Sequence, residues 1–296
     1  MKNKLFNLLI FIALAIFTSC GGDRNHKHTR KTHDDIGRTV NIPVRVHRVV
    51  SLTPSITEIL ATIAPLEKIV ARTPHCTYPK EILKVPVIDV YPLDIEKLVK
   101  LKPDLVFVKE GFLAIEQANQ LEKLGISVYY LKFNTAQDII HAIVKVGKLM
   151  DADMQAALEA DTLGMHLHKL KVKAEQMIEK DKPEVLILIS SNPLYAYGKD
   201  SYASDFLYYA GAKNAIKEKF SNPFPQLSRE YLLKLNPEIL ITTKQNDNIF
   251  DLYPELKQSK AFKNNRIHYI DEDLISRPGP RVIEAILKLK EMVKNK

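Results

Sequence analysis

Short β-branched runs alternate with amphipathic stretches along most of this chain. Residues 46–52 (V-H-R-V-V-S-L) read as a strand that Thr53-Pro54 ends. Ser55-Ile56-Thr57-Glu58 has the spacing of a capping box and predicts a helix to about Ile63. A second strand is expected over 68–71. Asp94 can cap a helix over 95–101, Lys102-Pro103 ends it, and 104–109 (D-L-V-F-V-K) has the unbroken apolar character of a buried strand. A helix over 112–124 stops at Gly125, and 126–131 is again strand-like.

Residues 135–180 contain no strand-like run, no proline and only two glycines, Gly147 and Gly164, which predicts that much of the stretch is one long helix. The earlier pattern then restarts. Strands are expected over 183–190, 238–242 and 267–270, and helices over 204–210, 229–235 and 280–294, with Ser228 as a cap and Asn236-Pro237 as a stop. Regular strand–helix alternation implies βα units on a mostly parallel sheet. The predicted fold is therefore α/β, with two Rossmann-like lobes, each with a mostly parallel central sheet, joined by a long α-helix. The N-terminal lobe is expected over 44–145, the linking helix over 146–180 and the C-terminal lobe over 181–296.

The two halves share more than a plan. Residues 96–106 read E-K-L-V-K-L-K-P-D-L-V, and residues 230–240 read E-Y-L-L-K-L-N-P-E-I-L. In each copy a cap (Asp94, Ser228) stands two residues before a first-turn glutamate (Glu96, Glu230), and a proline ends the helix before an apolar strand. A single first-turn glutamate is an ordinary response to the helix dipole. A pair aligned without gaps over eleven residues argues for duplicated architecture.

The N-terminus has its own pattern. Lys2 and Lys4 precede an apolar run over 8–17, too short to span a bilayer, and F-T-S-C-G-G follows. Residues 1–19 are expected to be a lipoprotein signal with lipid on Cys20; a short anchor or an ordinary secretory leader is the alternative. Residues 20–43 are expected to form a flexible tether, polar and without apolar periodicity over 21–35. His26, His28 and His33 within it could grip a metal, though a disordered tether holds one poorly.

Composition narrows the function. The 296 residues, 46% hydrophobic and 26% charged, suit two modest globular domains. The formal charge of +8 is scattered, with no Arg/Lys stripe interleaved with aromatics, so nucleic acid is not expected as a partner. Cys76 has no second thiol in the mature chain to bridge to. Nucleophile-elbow, phosphate-loop, dinucleotide, C-x-x-C and H-E-x-x-H motifs are all missing. An envelope metal-dependent enzyme would have to be built from His75, Cys76 and the acidic run Asp271-Glu272-Asp273, which equally reads as a solvated turn. What the loops offer instead is flat aromatic area: Tyr78, Tyr91, Tyr195, Tyr197 and Phe224.

With the lipoprotein start, R-V-V-S-L-T-P-S-I-T-E-I-L, L-K-P-D-L-V and R-P-G-P-R-V-I-E-A resemble the substrate-binding proteins of bacterial ABC importers, in the class with a helical backbone between lobes (class III periplasmic binding proteins). That class carries vitamin B12, ferric siderophores and haem. Its vitamin B12-binding branch is the nearest, most specifically over 192–230. The resemblance implies a membrane-anchored lipoprotein on the periplasmic side of the cell envelope that is monomeric, catalyses nothing and holds no cofactor or metal of its own. It would deliver a corrinoid to a permease dimer. It also implies that Tyr78, Phe224 and Arg277 line the corrinoid cleft, and that Glu96 and Glu230 each address an arginine-bearing permease subunit. The branch commonly uses tryptophan in its cleft, including at the place of Phe224, and this chain has none. Haem would need an axial ligand such as His75 or Tyr78, and an anionic siderophore would need cations such as Arg72, Arg277 and Arg281.

Overall fold

A computed structural model describes residues 28–246 and 248–294. Two antiparallel strands, β1 (Thr29–His33) and β2 (Thr39–Pro43), form a hairpin. The N-terminal lobe follows, with β3 (Val49–Ser51), α1 (Pro54–Ile63), β4 (Ile69–Arg72), α2 (Ile95–Leu101), β5 (Leu105–Lys109), α3 (Ile115–Lys123) and β6 (Ser127–Leu131). Its four strands are all parallel, in the order β4-β3-β5-β6. Two helices come next, α4 (Ala136–Met150) and α5 (Asp153–Glu175). The C-terminal lobe contains β7 (Glu184–Ser191), β8 (Leu194–Ala196), α6 (Tyr202–Ala210), β9 (Lys213–Asn214), α7 (Arg229–Leu235), β10 (Ile239–Thr242), the single turns α8 (Ile249–Leu252) and α9 (Lys260–Lys263), β11 (Ile267–Tyr269), α10 (Glu272–Ser276) and α11 (Val282–Lys294). Its sheet runs β11-β10-β7-β8, with β9 also on β7, and only β8 is antiparallel.

Strand side chains alternate between faces, and the packing follows that period. Leu105, Phe107, Tyr129 and Leu131 join one core, and so do Val185, Ile187, Ile239 and Ile241 of the other sheet. That core is continuous between the lobes and is filled by α1, α4, α5, α6 and α11. The intervening residues Val106, Val108, Val128 and Tyr130 face a separate core with α2 and α3, whereas Leu186, Leu188 and Leu240 face a third with α7. Each sheet is thus buried on both faces, which is why its strands read as unbroken apolar runs.

Three expectations need correction. The stretch read as a flexible tether is a hairpin from Thr29 onward. Val40 and Ile42 turn inward at 1% and 0% exposure, and Tyr129 Oη donates to the His33 carbonyl at 2.7 Å, so the hairpin covers the β6 edge of the sheet. Second, the single long helix is two. Asp151 takes the left-handed conformation at φ 53 and the chain turns back, so that α4 and α5 pack together and α5, about 34 Å long, is the linking element. Gly147 permits the turn, because a Cβ there would lie 2.3 Å from that of Ala156. Third, Ser55 and Glu58 form no capping box: Thr53 is the first residue of the α1 boundary and the Glu58 carboxylate is engaged with arginine instead.

The duplicated segment is duplicated in space. Asp94 accepts from the Lys97 backbone N–H at 2.9 Å, and Ser228 does the same for Tyr231 at 3.1 Å. Leu98 and Leu232 are buried at corresponding positions, and Lys102 and Asn236 end the helices at φ 46 and 39. Each helix then leads into a strand flanked by neighbours on both sides, β5 and β10.

Candidate ligand-binding cleft

A cavity of about 580 Å³ opens between the lobes. The N-terminal wall comes from the ends of β5 and β6: Lys109, Glu110, Phe112, Lys132 and Phe133. The facing wall comes from the start of α6 and the loop before α7: Asp200, Tyr202, Lys219, Phe220 and Phe224. The carboxyl ends of parallel strands are where open α/β sheets place ligands, since the helix and loop starts there leave a crevice.

The aromatic wall is braced from behind. Phe224 meets Tyr197 and Tyr202 edge-to-face at centroid separations of 5.7 and 6.0 Å. Tyr202 Oη donates to Tyr197 Oη at 3.3 Å, and Tyr197 Oη to the Ile275 carbonyl at 3.5 Å. Burial pushes the Tyr197 hydroxyl up to about 12 and Tyr202 well above its ordinary value, so both remain neutral donors. Both rings are 3% exposed, but only Tyr202 reaches the cavity lining, and Tyr197 supports the wall from behind.

The expected contact residues distribute unevenly. Phe224 lines the cavity. Tyr91 is 76% exposed and is not among the lining residues, though its hydroxyl is 3.5 Å from the carbonyl of Phe112, which is. Tyr195 lies in β8, bridged to Gln226, and is not among the lining residues. Tyr78 lies under the Arg281 guanidinium at 4.3 Å, and Arg277 is buried against Asp273 (2.5 Å) and Thr77 (3.0 Å), so both sit in a polar junction between the lobes and not on the cavity wall. Lys109, Phe112, Lys132, Tyr202, Lys219 and Phe220 were not anticipated; the rule that ligands sit at carboxyl ends of strands pointed at Lys109 and Lys132.

Other candidates resolve differently. The Cys76 thiol is buried between the Thr57 and Thr73 hydroxyls at 3.0 and 3.2 Å. Asp271 caps α10 and Asp273 is paired with Arg277. Arg72 is occupied by the carbonyls of Ile82 and Thr73. Among the described residues, no group of three His, Cys, Asp or Glu side chains could hold a metal ion. Cys20 and His26 lie outside the described residues. Glu96, with an 89% exposed side chain, and Glu230 project from the first turns of α2 and α7, on the outer layer of each lobe. The Glu230 carboxyl is held below its ordinary value by its own backbone N–H and the Ser228 hydroxyl.

Known proteins share this plan. An ABC transporter substrate-binding lipoprotein of Bacillus subtilis is 29% identical, over 96% of this chain and 95% of its own. A vitamin B12-binding protein of Salmonella typhi is 30% identical, over 82% and 88%. The crystal structure of a possible iron-binding, periplasmic solute-binding protein from Staphylococcus epidermidis superimposes with a TM-score of 0.72 at 30% identity, covering 85% of this chain and all of the other. The family model for periplasmic binding proteins matches residues 49–274, from the first strand of the N-terminal sheet to the last helical turns before α11, and the chain belongs to that family.

Proposed function

We propose that this periplasmic binding protein is the substrate-binding component of an ABC importer, held to the membrane by lipid on Cys20 at the periplasmic side of the cell envelope. It captures a corrinoid, vitamin B12 or a related cobamide, between its lobes and hands it to a permease dimer. It catalyses nothing. The observation that carries the reading is a cleft at the strand carboxyl ends whose walls present Phe112 from one lobe and Phe220 and Phe224 from the other. Flat apolar walls on both sides suit a bulky planar macrocycle, and the rings lose little entropy in binding it. Tyr and Phe replace the tryptophans usual in the corrinoid branch.

Glu96 and Glu230 are the docking points. The two helices that carry them are built alike, so two equivalent permease subunits meet equivalent carboxylates. An interfacial charge pair that becomes desolvated can contribute roughly 1.5–7 kcal/mol, far more than one left at a wet rim. The continuous core and the α5 connection favour modest closure over a large stroke.

A second reading keeps the class and changes the cargo to haem or a ferric siderophore. Lys109 in the cleft favours an anionic guest, and the iron-binding description of the Staphylococcus epidermidis protein agrees with it. Calorimetric titration with cyanocobalamin, haem and a ferric catecholate decides between them. Heat from cyanocobalamin alone supports the first reading; its absence at high micromolar ligand removes the corrinoid, and a Soret shift on haem addition establishes the second.

A further inference from the structure

The cleft holds three lysines, and two are neutralised locally. Lys132 pairs with Glu110 at 3.3 Å and Lys219 with Asp200 at 3.4 Å. Lys109 differs. Its ammonium sits 5.2 Å from the Tyr202 ring centre, 5.6 Å from Phe112 and 5.7 Å from Phe224. Among the described residues no carboxylate oxygen comes within ion-pair distance of it. Phe112 belongs to the same lobe as Lys109, while Tyr202 and Phe224 belong to the other, so the cation is boxed by rings from both walls.

A charge in this position is expensive for the fold. Burial pushes Lys109 down to about 8, and the nearby Glu110 charge only partly opposes the shift. Three ring faces return something to the ammonium, but they are weak substitutes for water or a carboxylate. Nothing in the packing requires the charge: a methionine would fill the same volume without the desolvation. A desolvated cation with unused donors is instead suited to an anion arriving from the cleft, because the attraction is strong where water is excluded.

We propose that Lys109 determines the specificity of the cleft by binding a carboxylate or phosphate carried at the edge of a ligand whose flat apolar body packs on Phe112 and Phe224. The inference rests on the cleft being the solute site and adds a chemical requirement: the guest is an amphiphile with a flat face and an anionic edge. Neutral planar molecules can enter, but they leave the ammonium uncompensated and bind less well. Lys132 and Lys219 add little net charge, each already matched by its own carboxylate.

The test separates this claim from the identity of the cargo. The full chain in detergent, with Lys109→Met and Lys109→Arg, is titrated with two dyes of one skeleton, anilinonaphthalene sulfonate and uncharged N-phenyl-1-naphthylamine. Lys109→Met should weaken the sulfonate at one site by about tenfold or more and leave the uncharged dye within about twofold, and Lys109→Arg should restore the sulfonate, tenfold being about 1.4 kcal/mol. Unchanged sulfonate binding, equal loss of both dyes, or no single-site binding by the wild type overturns the proposal. Haem against its dimethyl ester, and cyanocobalamin against dicyanocobinamide, then distinguish carboxylate from phosphate. A cargo pair that splits with Lys109→Met supports the proposal, and a cargo pair that binds without splitting overturns it. The dye split alone, with neither cargo bound, supports the role of Lys109 and sinks the corrinoid and haem readings.

Discussion

Glu58 of the N-terminal lobe and Arg281, at the start of the closing helix, form a two-pronged ion pair: Nε donates to Oε2 at 2.9 Å and Nη2 to Oε1 at 2.7 Å. The Glu58 side chain is 1% exposed. Burial raises its carboxyl above the ordinary value even though Arg281 and Arg277 both pull it down. The same pair raises Arg281, so each group gains from the other while the carboxylate carries most of the desolvation. With Tyr78 on the guanidinium face, this junction ties the N-terminal lobe to the start of the closing helix through residues that do not line the cavity.

Removing one member should therefore matter more than removing both. Arg281→Ala leaves a buried carboxylate with only Arg277 at 3.8 Å and is expected to lower the unfolding free energy by about 3 kcal/mol. Arg281→Lys recovers only part, since an ammonium cannot make both bonds. The double variant with Glu58→Gln should lose less than the sum of the singles. Urea denaturation gives all four values, and strict additivity would show that the two groups are not coupled.

Phe224 and Tyr202 should separate binding from folding. Phe224 is half-buried on the cavity wall, so Phe224→Ala is expected to weaken the ligand tenfold or more with a modest stability loss. Tyr202 is 3% exposed and packs on Phe206 and Tyr197, so Tyr202→Ala should cost about 3–5 kcal/mol of stability. Calorimetry beside thermal melts checks the contrast.

Glu96→Ala combined with Glu230→Ala should leave ligand affinity unchanged, lower the melting temperature only by the small loss of two first-turn helix charges, and abolish uptake in cells that depend on the protein. Both carboxylates point to solvent, and Glu96 touches only Lys100 at 3.8 Å. A loss of affinity in the purified double variant would place them in the cleft and end the docking assignment.

Lys109 should leave a mark on the pH dependence of stability. Its folded value of about 8 lies below the unfolded 10.5, so between these the unfolded chain holds more protons and stability rises with pH. Below pH 8 the full penalty remains, at most about 3 kcal/mol for a shift of this size. Lys109→Met should be more stable than wild type at pH 7, with the difference closing toward pH 10.5. A variant no more stable at pH 7 would show that the rings fully compensate the charge.

Gly147→Ala tests the turn between α4 and α5. The added methyl meets the Ala156 Cβ, and neither helix can yield without moving its backbone, so a loss of about 1–3 kcal/mol is expected. Gly164, with nothing within 4 Å, is the control, and Gly164→Ala should be neutral or mildly stabilising in a helix.

Most of the local architecture was readable from the order of residues. The helices Ile95–Leu101 and Arg229–Leu235 came out at their expected bounds because cap, apolar spacing and proline stop all act within one or two turns. The buried strands announced themselves by continuous apolar runs, and the eleven-residue repeat announced the twin lobes. The reversal at Asp151 did not, since a left-handed non-glycine residue leaves no compositional trace and Gly147 looks like any helix glycine until its neighbour is known. Nor did the hairpin, whose two inward residues, Val40 and Ile42, are too few to define a period. Glu58 fitted a local capping rule and was claimed by an arginine more than two hundred positions away. The cavity wall belongs to the same category: Lys109 is the last residue of an apolar strand, and only the approach of the opposite lobe puts Tyr202 and Phe224 around its charge. Information in neighbouring residues settles helices and strands because their hydrogen bonds and apolar periods close within a few positions. Which rings face which cation depends on how two sheets pack across a shared core, and that is a property of the assembled fold.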